Sequence, residues 1–189
     1  MSVADNGQAN GENVAENPDT GSDRHLLEGL ERLGSGVPFV DEIFALVGHS
    51  QFFADFSYDD IKLLAGYMDV YRAQPGQTVI REGEIGDYML MIINGDIDIF
   101  KRSLTGEQQH ITVVTPGMML GEMSMIDGEP RFATCVAVKV ATFGVLTRDN
   151  MVRIILEKPS VGAKILIKLV TLLSQRLRHT SAMLLHYMK

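Results

Sequence analysis

Along the chain the period of the apolar positions changes twice, from helical to alternating and back. Before the first regular stretch, residues 1–23 are mostly Gly, Asn, Asp, Glu and Ser. Their only aliphatics are Val3, Ala4, Ala9, Val14 and Ala15, too few to offset the entropy of ordering. This composition predicts a disordered acidic tail. From Arg24, Leu26, Leu27, Leu30 and Leu33 fall at helical spacing and stop at GSGVP, which predicts an N-terminal helix and linker over 24–38. Helical pieces follow over about 39–48 and 58–68, the second with Ser57 as N-cap.

Near Gly76 the pattern turns to alternation. QTVIRE, YMLMII, DIDIFK, HITVVT, FATCVAV and ATFGVL read as short strands, and Asn94-Gly95 reads as a two-residue hairpin turn. Strands so short and so regularly spaced predict an antiparallel β-roll or jelly-roll over 39–147, entered by short helices. After Leu146 helical periodicity returns. TRDNMVRIILEK is a short helix capped at Thr147 or Asp149, and Pro159 separates it from a long helix beginning near Ser160. The fold class is therefore α+β, mainly β, with C-terminal helices over 148–189.

In the long helix Leu166, Val170, Leu173, Leu177, Thr180, Leu184 and Tyr187 repeat at spacings of 4 and 3, as in a coiled-coil seam. One apolar stripe also suits a helix laid on its own barrel. Ile165, Leu169 and Leu172 supply a second flank, so the favoured expectation is a homodimer through Ser160–Met188, with the helix touching both a partner and the roll. Thr180 is the polar member of the seam, placed to set register or to face something polar.

Composition narrows the function classes. The chain of 189 residues has room for one core, and its single cysteine, Cys135, lies in an apolar run where a buried inert thiol is expected. One cysteine forms no intrachain disulfide, which suits a cytoplasmic protein. The start lacks a signal peptide's basic and apolar regions, and VGAKILIKLVTLL is too short and too charged to span a bilayer. The net charge is −7, yet residues 148–189 carry eight bases against two acids. An acidic body argues against a broad nucleic-acid surface, and the basic helix reads as a solvated face or a contact for an acidic partner. Among the five histidines only His110 falls among the expected strands, so neither a metal site nor any metal cofactor is expected. No nucleophile arrangement or P-loop is present either, and the chain does not read as an enzyme.

One segment carries binding chemistry: GEMSMIDGEPRFAT, Gly121 to Thr134. Arg131 is a fixed-charge fork suited to two oxygens of a phosphate, and Glu122 accepts hydrogen bonds from hydroxyls such as those of a ribose. A short helix after Gly121 would aim the N–H groups of Met123 and Ser124 towards an anion. The bland alternative is a surface ion pair of Glu122 with Arg131, worth about 0–1 kcal/mol.

The segment resembles the phosphate-binding cassette of the cyclic-nucleotide-binding domain, the β-roll module of bacterial catabolite activator proteins and of the regulatory subunits of cyclic-AMP-dependent protein kinase. FFADFSYDDIKLLAGYMDVYRAQPGQTVIREGEIGDYMLMIINGDIDIF is similar to that family's entry helix and first four strands, and the likeness covers about residues 40–188. It implies that Glu122 takes the ribose 2′-hydroxyl, that Arg131 binds the cyclic phosphate, and that Gly121, Met123, Ser124, Phe132 and Ala133 add backbone contacts. RLRHTS resembles the segment in which a Thr-Ser pair meets the adenine, one member reaching in from the partner subunit, and places Thr180 and Ser181 in those roles. Phe132 departs from the family, which has a small residue after the arginine. Its ring is expected to plug the site, to stack on a base, or to favour a larger ligand. The catabolite activator proteins continue into a winged helix-turn-helix, for which nothing is left after Lys189, so no direct DNA binding is expected.

The function expected from this resemblance is a sensor that relays ligand binding through its C-terminal helix to a protein partner. Cyclic AMP is the expected ligand, with cyclic GMP and cyclic di-GMP as alternatives. The competing readings are a non-binding β-roll serving as a dimeric interaction module, and a transcription-regulator relative lacking its DNA-binding domain.

Overall fold

The computed structural model describes residues 24–48, 50 and 52–187; the expected acidic tail and His49 lie outside them. Helix α1 (Arg24–Glu28) leads into β1 (Glu31–Ser35), a 3-10 turn at Val37–Phe39, α2 (Val40–Ala45) and α3 (Tyr58–Gly66). The strands are β2 (Asp69–Ala73), β3 (Thr78–Ile80), β4 (Tyr88–Asn94), β5 (Ile97–Arg102), β6 (Gln108–Val114) and β7 (Met119–Leu120). Helix α4 (Glu122–Asp127) interrupts them before β8 (Thr134–Ala137) and β9 (Ala141–Thr147), and α5 (Arg148–Glu157) and α6 (Pro159–Tyr187) close the chain.

Two antiparallel sheets form the jelly-roll, one in the order β1-β2-β9-β4-β7 and the other β3-β8-β5-β6. Side chains alternate across a strand, and β4 uses both of its faces. Tyr88, Leu90 and Ile92 fill the roll with Val79, Ile97, Leu120 and Phe143. Met89, Met91 and Ile93 meet the helices, where Ile43, Phe53, Ile61, Ile154, Ile165 and Leu169 form a second cluster. Burial on both sides is why YMLMII reads as an unbroken apolar run.

The helix caps follow the sequence signals. Ser57 Oγ accepts from Asp60 N at 3.2 Å and Asp60 Oδ2 accepts from Ser57 N at 3.0 Å, a reciprocal capping box. Thr147 caps α5 through Asn150 N at 3.2 Å. Lys164 on α6 donates to Asp60 at 2.6 Å and ties the long helix to α3.

Two expectations are corrected. The helix predicted through Leu33 stops at Glu28, and the following residues form β1 before the point at residue 39 where the roll was expected to begin. Gly29 ends the helix, and the extended chain then gains cross-strand pairs of Arg32 with Asp69 and Glu31 with Arg72. Nor is Asn94-Gly95 a hairpin, since β4 and β5 lie in different sheets and do not pair. The turn is a corner between the sheets. Gly95 has φ 91°, and a Cβ there would lie 2.5 Å from Ala141 Cα. Both the backbone angle and the close approach require glycine.

Candidate ligand-binding site

Gly121, at the end of β7, takes a left-handed conformation with φ 74° and turns the chain directly into α4. Glu122 is the first residue of that helix and is fully buried at 0% exposure. Arg131 returns from the loop after α4 and is 2% exposed. Its Nη1 donates to the carbonyls of Tyr88 and Gly121, each at 2.8 Å, and its guanidinium lies 4.4 Å from the centroid of the Tyr88 ring. Two glycines make room for it. A Cβ on Gly86 would come within 2.1 Å of Arg131 Nε, and one on Gly121 within 2.6 Å of Nη1. The backbone is tied as firmly, Arg131 N donating to Glu84 O at 2.8 Å and Gly83 N to Arg131 O at 2.9 Å. Arg131 is thus a preorganised cation whose position was set by glycines at its flanks.

Gly121, Glu122, Met123, Ser124, Arg131, Phe132 and Ala133 line one cavity of about 80 Å³, with Ile80, Ile99 and Leu120 as apolar wall. Thr180 and Ser181 do not line it; they stand exposed on α6. The residue of α6 that does reach the cavity is Arg176. It forms an ion pair with Glu122 Oε1 and donates to Met119 O at 3.0 Å. Glu122 Oε2 is buried and has no hydrogen-bond partner. A buried carboxylate oxygen left bare is costly, and it stands open to a donor entering the cavity.

Because Glu122 and Arg131 are both buried, they are not an ordinary surface pair. The ring of Phe132 is not buried among them either. Phe132 is 58% exposed, and Lys101 Nζ sits 4.5 Å from its ring centroid. The same ammonium donates to Phe132 O and to Glu82 Oε1, both at 2.7 Å. Burial tends to raise the Glu82 carboxyl, but the hydrogen bonds from Lys101 and from Arg102 N outweigh it and hold the group below the ordinary carboxylate range.

Sequence reasoning missed Arg176 and Lys101. Arg176 had a signal: Val161, Ile165, Leu169 and Leu172 form the core-facing stripe of α6, and Arg176 stands at its next position, one turn before Thr180. Lys101 had none, because its place beside Phe132 depends on β5 pairing with β8. A larger cavity of about 380 Å³ lies between α6 and the β6–β7 loop, sharing only Arg176 with the first. Among the described residues no cluster is suited to a metal, and no helix is long and apolar enough to cross a membrane.

A jelly-roll that buries a fixed arginine and a half-satisfied carboxylate in one small cavity defines a binding domain for a polar, anionic small molecule. Comparison with known proteins gives the family. A family model for the cyclic nucleotide-binding domain matches residues 71–158. The crystal structure of a cyclic nucleotide-binding domain from Methylobacillus flagellatus is 37% identical with a TM-score of 0.75, covering 84% of this chain and 89% of that one. This chain belongs to the cyclic nucleotide-binding domain family. It is 31% identical over 106 residues to a CRP-like cAMP-activated global transcriptional regulator of Mycobacterium tuberculosis, covering 56% of this chain and 46% of the relative. It is also 27% identical over 128 residues to a cAMP-dependent protein kinase regulatory subunit of Blastocladiella emersonii, covering 66% of this chain and 32% of the relative. The chain thus spans half or less of the length of these two relatives, both of them regulatory proteins by name.

Proposed function

We propose that the chain is a non-enzymatic cyclic nucleotide sensor whose ligand is cyclic AMP. One observation carries the reading: the bare Oε2 of buried Glu122 and the immobilised guanidinium of Arg131 share one cavity. Glu122 Oε2 accepts the ribose 2′-hydroxyl, and Arg131 faces the cyclic phosphate together with the first N–H groups of α4, which have no acceptor inside the helix. The preference for cyclic AMP over cyclic GMP or cyclic di-GMP rests on the two regulators named above, both described by their response to that nucleotide.

In this reading Arg176 links ligand to output. It holds Oε1 of Glu122, so a hydroxyl arriving at Oε2 biases the position of α6. Linkage of this kind requires only that the ligand prefer one helix arrangement. The seam side chains Leu166, Val170, Leu177 and Leu184 are 42%, 62%, 68% and 59% exposed, which favours a homodimer through α6 with Thr180 and Ser181 near its midline. The signal then passes to a protein partner in the cytoplasm.

The small cavity volume favours a second reading, a roll that has lost its ligand and serves as a dimeric interaction module. Mass spectrometry of nucleotide released from the purified protein, followed by calorimetry with cyclic AMP, separates the two. Arg131→Lys keeps the charge but loses the planar fork that can donate to the Tyr88 and Gly121 carbonyls on one side and two phosphate oxygens on the other, and it should weaken cyclic AMP by more than tenfold. Affinity equal to wild type in a folded Arg131→Lys protein would remove Arg131 from the site.

A further inference from the structure

The cassette of this chain carries a feature that the sugar and phosphate contacts leave unused. Phe132 follows the phosphate-facing arginine directly and lines the same cavity as Ile80, Ile99 and Leu120, yet it is not buried among them. It is 58% exposed at the rim, in a segment that is otherwise tied down. Lys101 fixes it twice, through the carbonyl of the same residue and through a cation–π contact with the ring, while Glu82 anchors Lys101 from behind. Glu82 is itself held by Arg102 N at 3.0 Å and donates its own N–H to Thr134 Oγ1 at 3.0 Å. Three segments of the four-stranded sheet therefore converge on one exposed aromatic ring. A ring merely left over on a surface would not draw a buried-side carboxylate and a lysine into its support.

Size points the same way. A cavity of about 80 Å³ amounts to the share of two or three waters in the liquid. A cavity this small does not enclose a nucleotide, so a base would lie at its rim, where Phe132 stands. Resting on the cyclic-nucleotide reading, we propose that Phe132, held in place by Lys101, is the platform on which the ligand's nucleobase stacks. Lys101 covers one face of the ring and is not among the residues lining the cavity, so the other face is the one offered to a base. Stacking area makes a purine the preferred class over a pyrimidine. Phe132 is then a specificity-determining residue and Lys101 a positioning residue that acts through it.

The test compares cyclic AMP, cyclic CMP and the base-free ribose 3′,5′-cyclic phosphate on wild type, Phe132→Ala, Phe132→Leu and Lys101→Met. Calorimetry gives affinities, and etheno-cyclic AMP fluorescence reports the base directly, because the chain has no tryptophan to interfere. Loss of the platform should weaken cyclic AMP by about 5- to 150-fold, the span that one base–aromatic stack provides. The base-free compound should bind wild type and Phe132→Ala alike, and Phe132→Leu should behave as Phe132→Ala. Lys101→Met should show a smaller loss of the same base-dependent kind, with no further loss when combined with Phe132→Ala. Equal or tighter cyclic AMP binding by Phe132→Ala would make the ring inert or an obstruction and overturn the proposal, as would parallel losses for the base-free compound. Wild type that binds none of the three ligands would instead overturn the cyclic-nucleotide reading beneath it, and Arg131→Lys, which should weaken all three, marks that level separately.

Discussion

Replacing Arg176 with Met keeps the apolar stem of the side chain and removes its charge. Among the described residues the guanidinium is the one ion-pair partner of Glu122, which is fully buried and whose other oxygen is already bare. Breaking a fully buried ion pair costs about 3–5 kcal/mol. Arg176 is 38% exposed, so water can reach the vacated side, and the smaller figure for one charge-assisted hydrogen bond, about 1.5–3 kcal/mol, applies. Loss of the bond to Met119 O is included in that range. For a chain of this size each kcal/mol moves Tm by about 2–4 °C, so thermal melting should fall by about 3–12 °C.

Glu122→Gln in the same background supplies the control. An amide needs no counter-ion, so the double variant should recover part of the loss, and the double-mutant cycle should show coupling between the two positions. Cyclic AMP affinity should fall as well, because Glu122 loses the contact that orients it. A change in Tm within the range of an ordinary surface substitution, about 0.5 kcal/mol or less, would mean that the Glu122–Arg176 pair does not form in solution. The proposed route from ligand to α6 would fail with it.

Asp60 gives a pH-dependent counterpart. Burial tends to raise its carboxyl, but hydrogen bonds from Lys164 and Ser57 outweigh this and hold it below its ordinary value. A depressed carboxylate stabilises the fold fully above its unfolded pKa and loses that contribution as pH falls through its folded one. Asp60→Asn should therefore cost about 1 kcal/mol at pH 7, and the difference from wild type in urea melts should shrink as pH drops below the ordinary carboxylate range; a gap constant with pH would refute the assignment. Leu177, 68% exposed in the seam, tests the dimer: Leu177→Glu should convert a dimer to a monomer in sedimentation, and an unchanged mass would remove α6 from the interface.

What the sequence made legible was whatever local chemistry determines. Ser57 and Thr147 announce their helices because a cap is satisfied within three residues. The cassette was legible because Gly121, Glu122 and Arg131 are close in sequence and their residue types have few other uses together. Corners between sheets were not, since Asn94-Gly95 looks the same whether the strands it joins pair with each other or part. Strand β2, DVYRA, escaped the periodicity because it buries only Val70 and Ala73 and alternates poorly, and β1 escaped because Leu33 continues the helical spacing of Leu26, Leu27 and Leu30. Lys101 and Glu82 acquire a role only once the four-stranded sheet brings β5 and the β3–β4 loop beside Phe132.

Helix α6 holds these levels together through the geometry of a single element. Val161, Ile165, Leu169, Leu172 and Arg176 form one stripe, apolar against the roll until its last member, which enters the cavity as a cation. Leu166, Val170, Leu177 and Leu184 form another, roughly a quarter turn away at about 100° per residue. A helix pinned to the body by Ile165 and Leu169, and by Lys164 on Asp60, cannot rotate freely there. Beyond Leu172, Arg176 ties the helix to the roll through Glu122 and Met119 O. If the proposed relay operates, a ligand that alters the charge balance at Glu122 acts through Arg176, and the seam positions beyond it, Leu177 to Leu184, are the ones it would redirect.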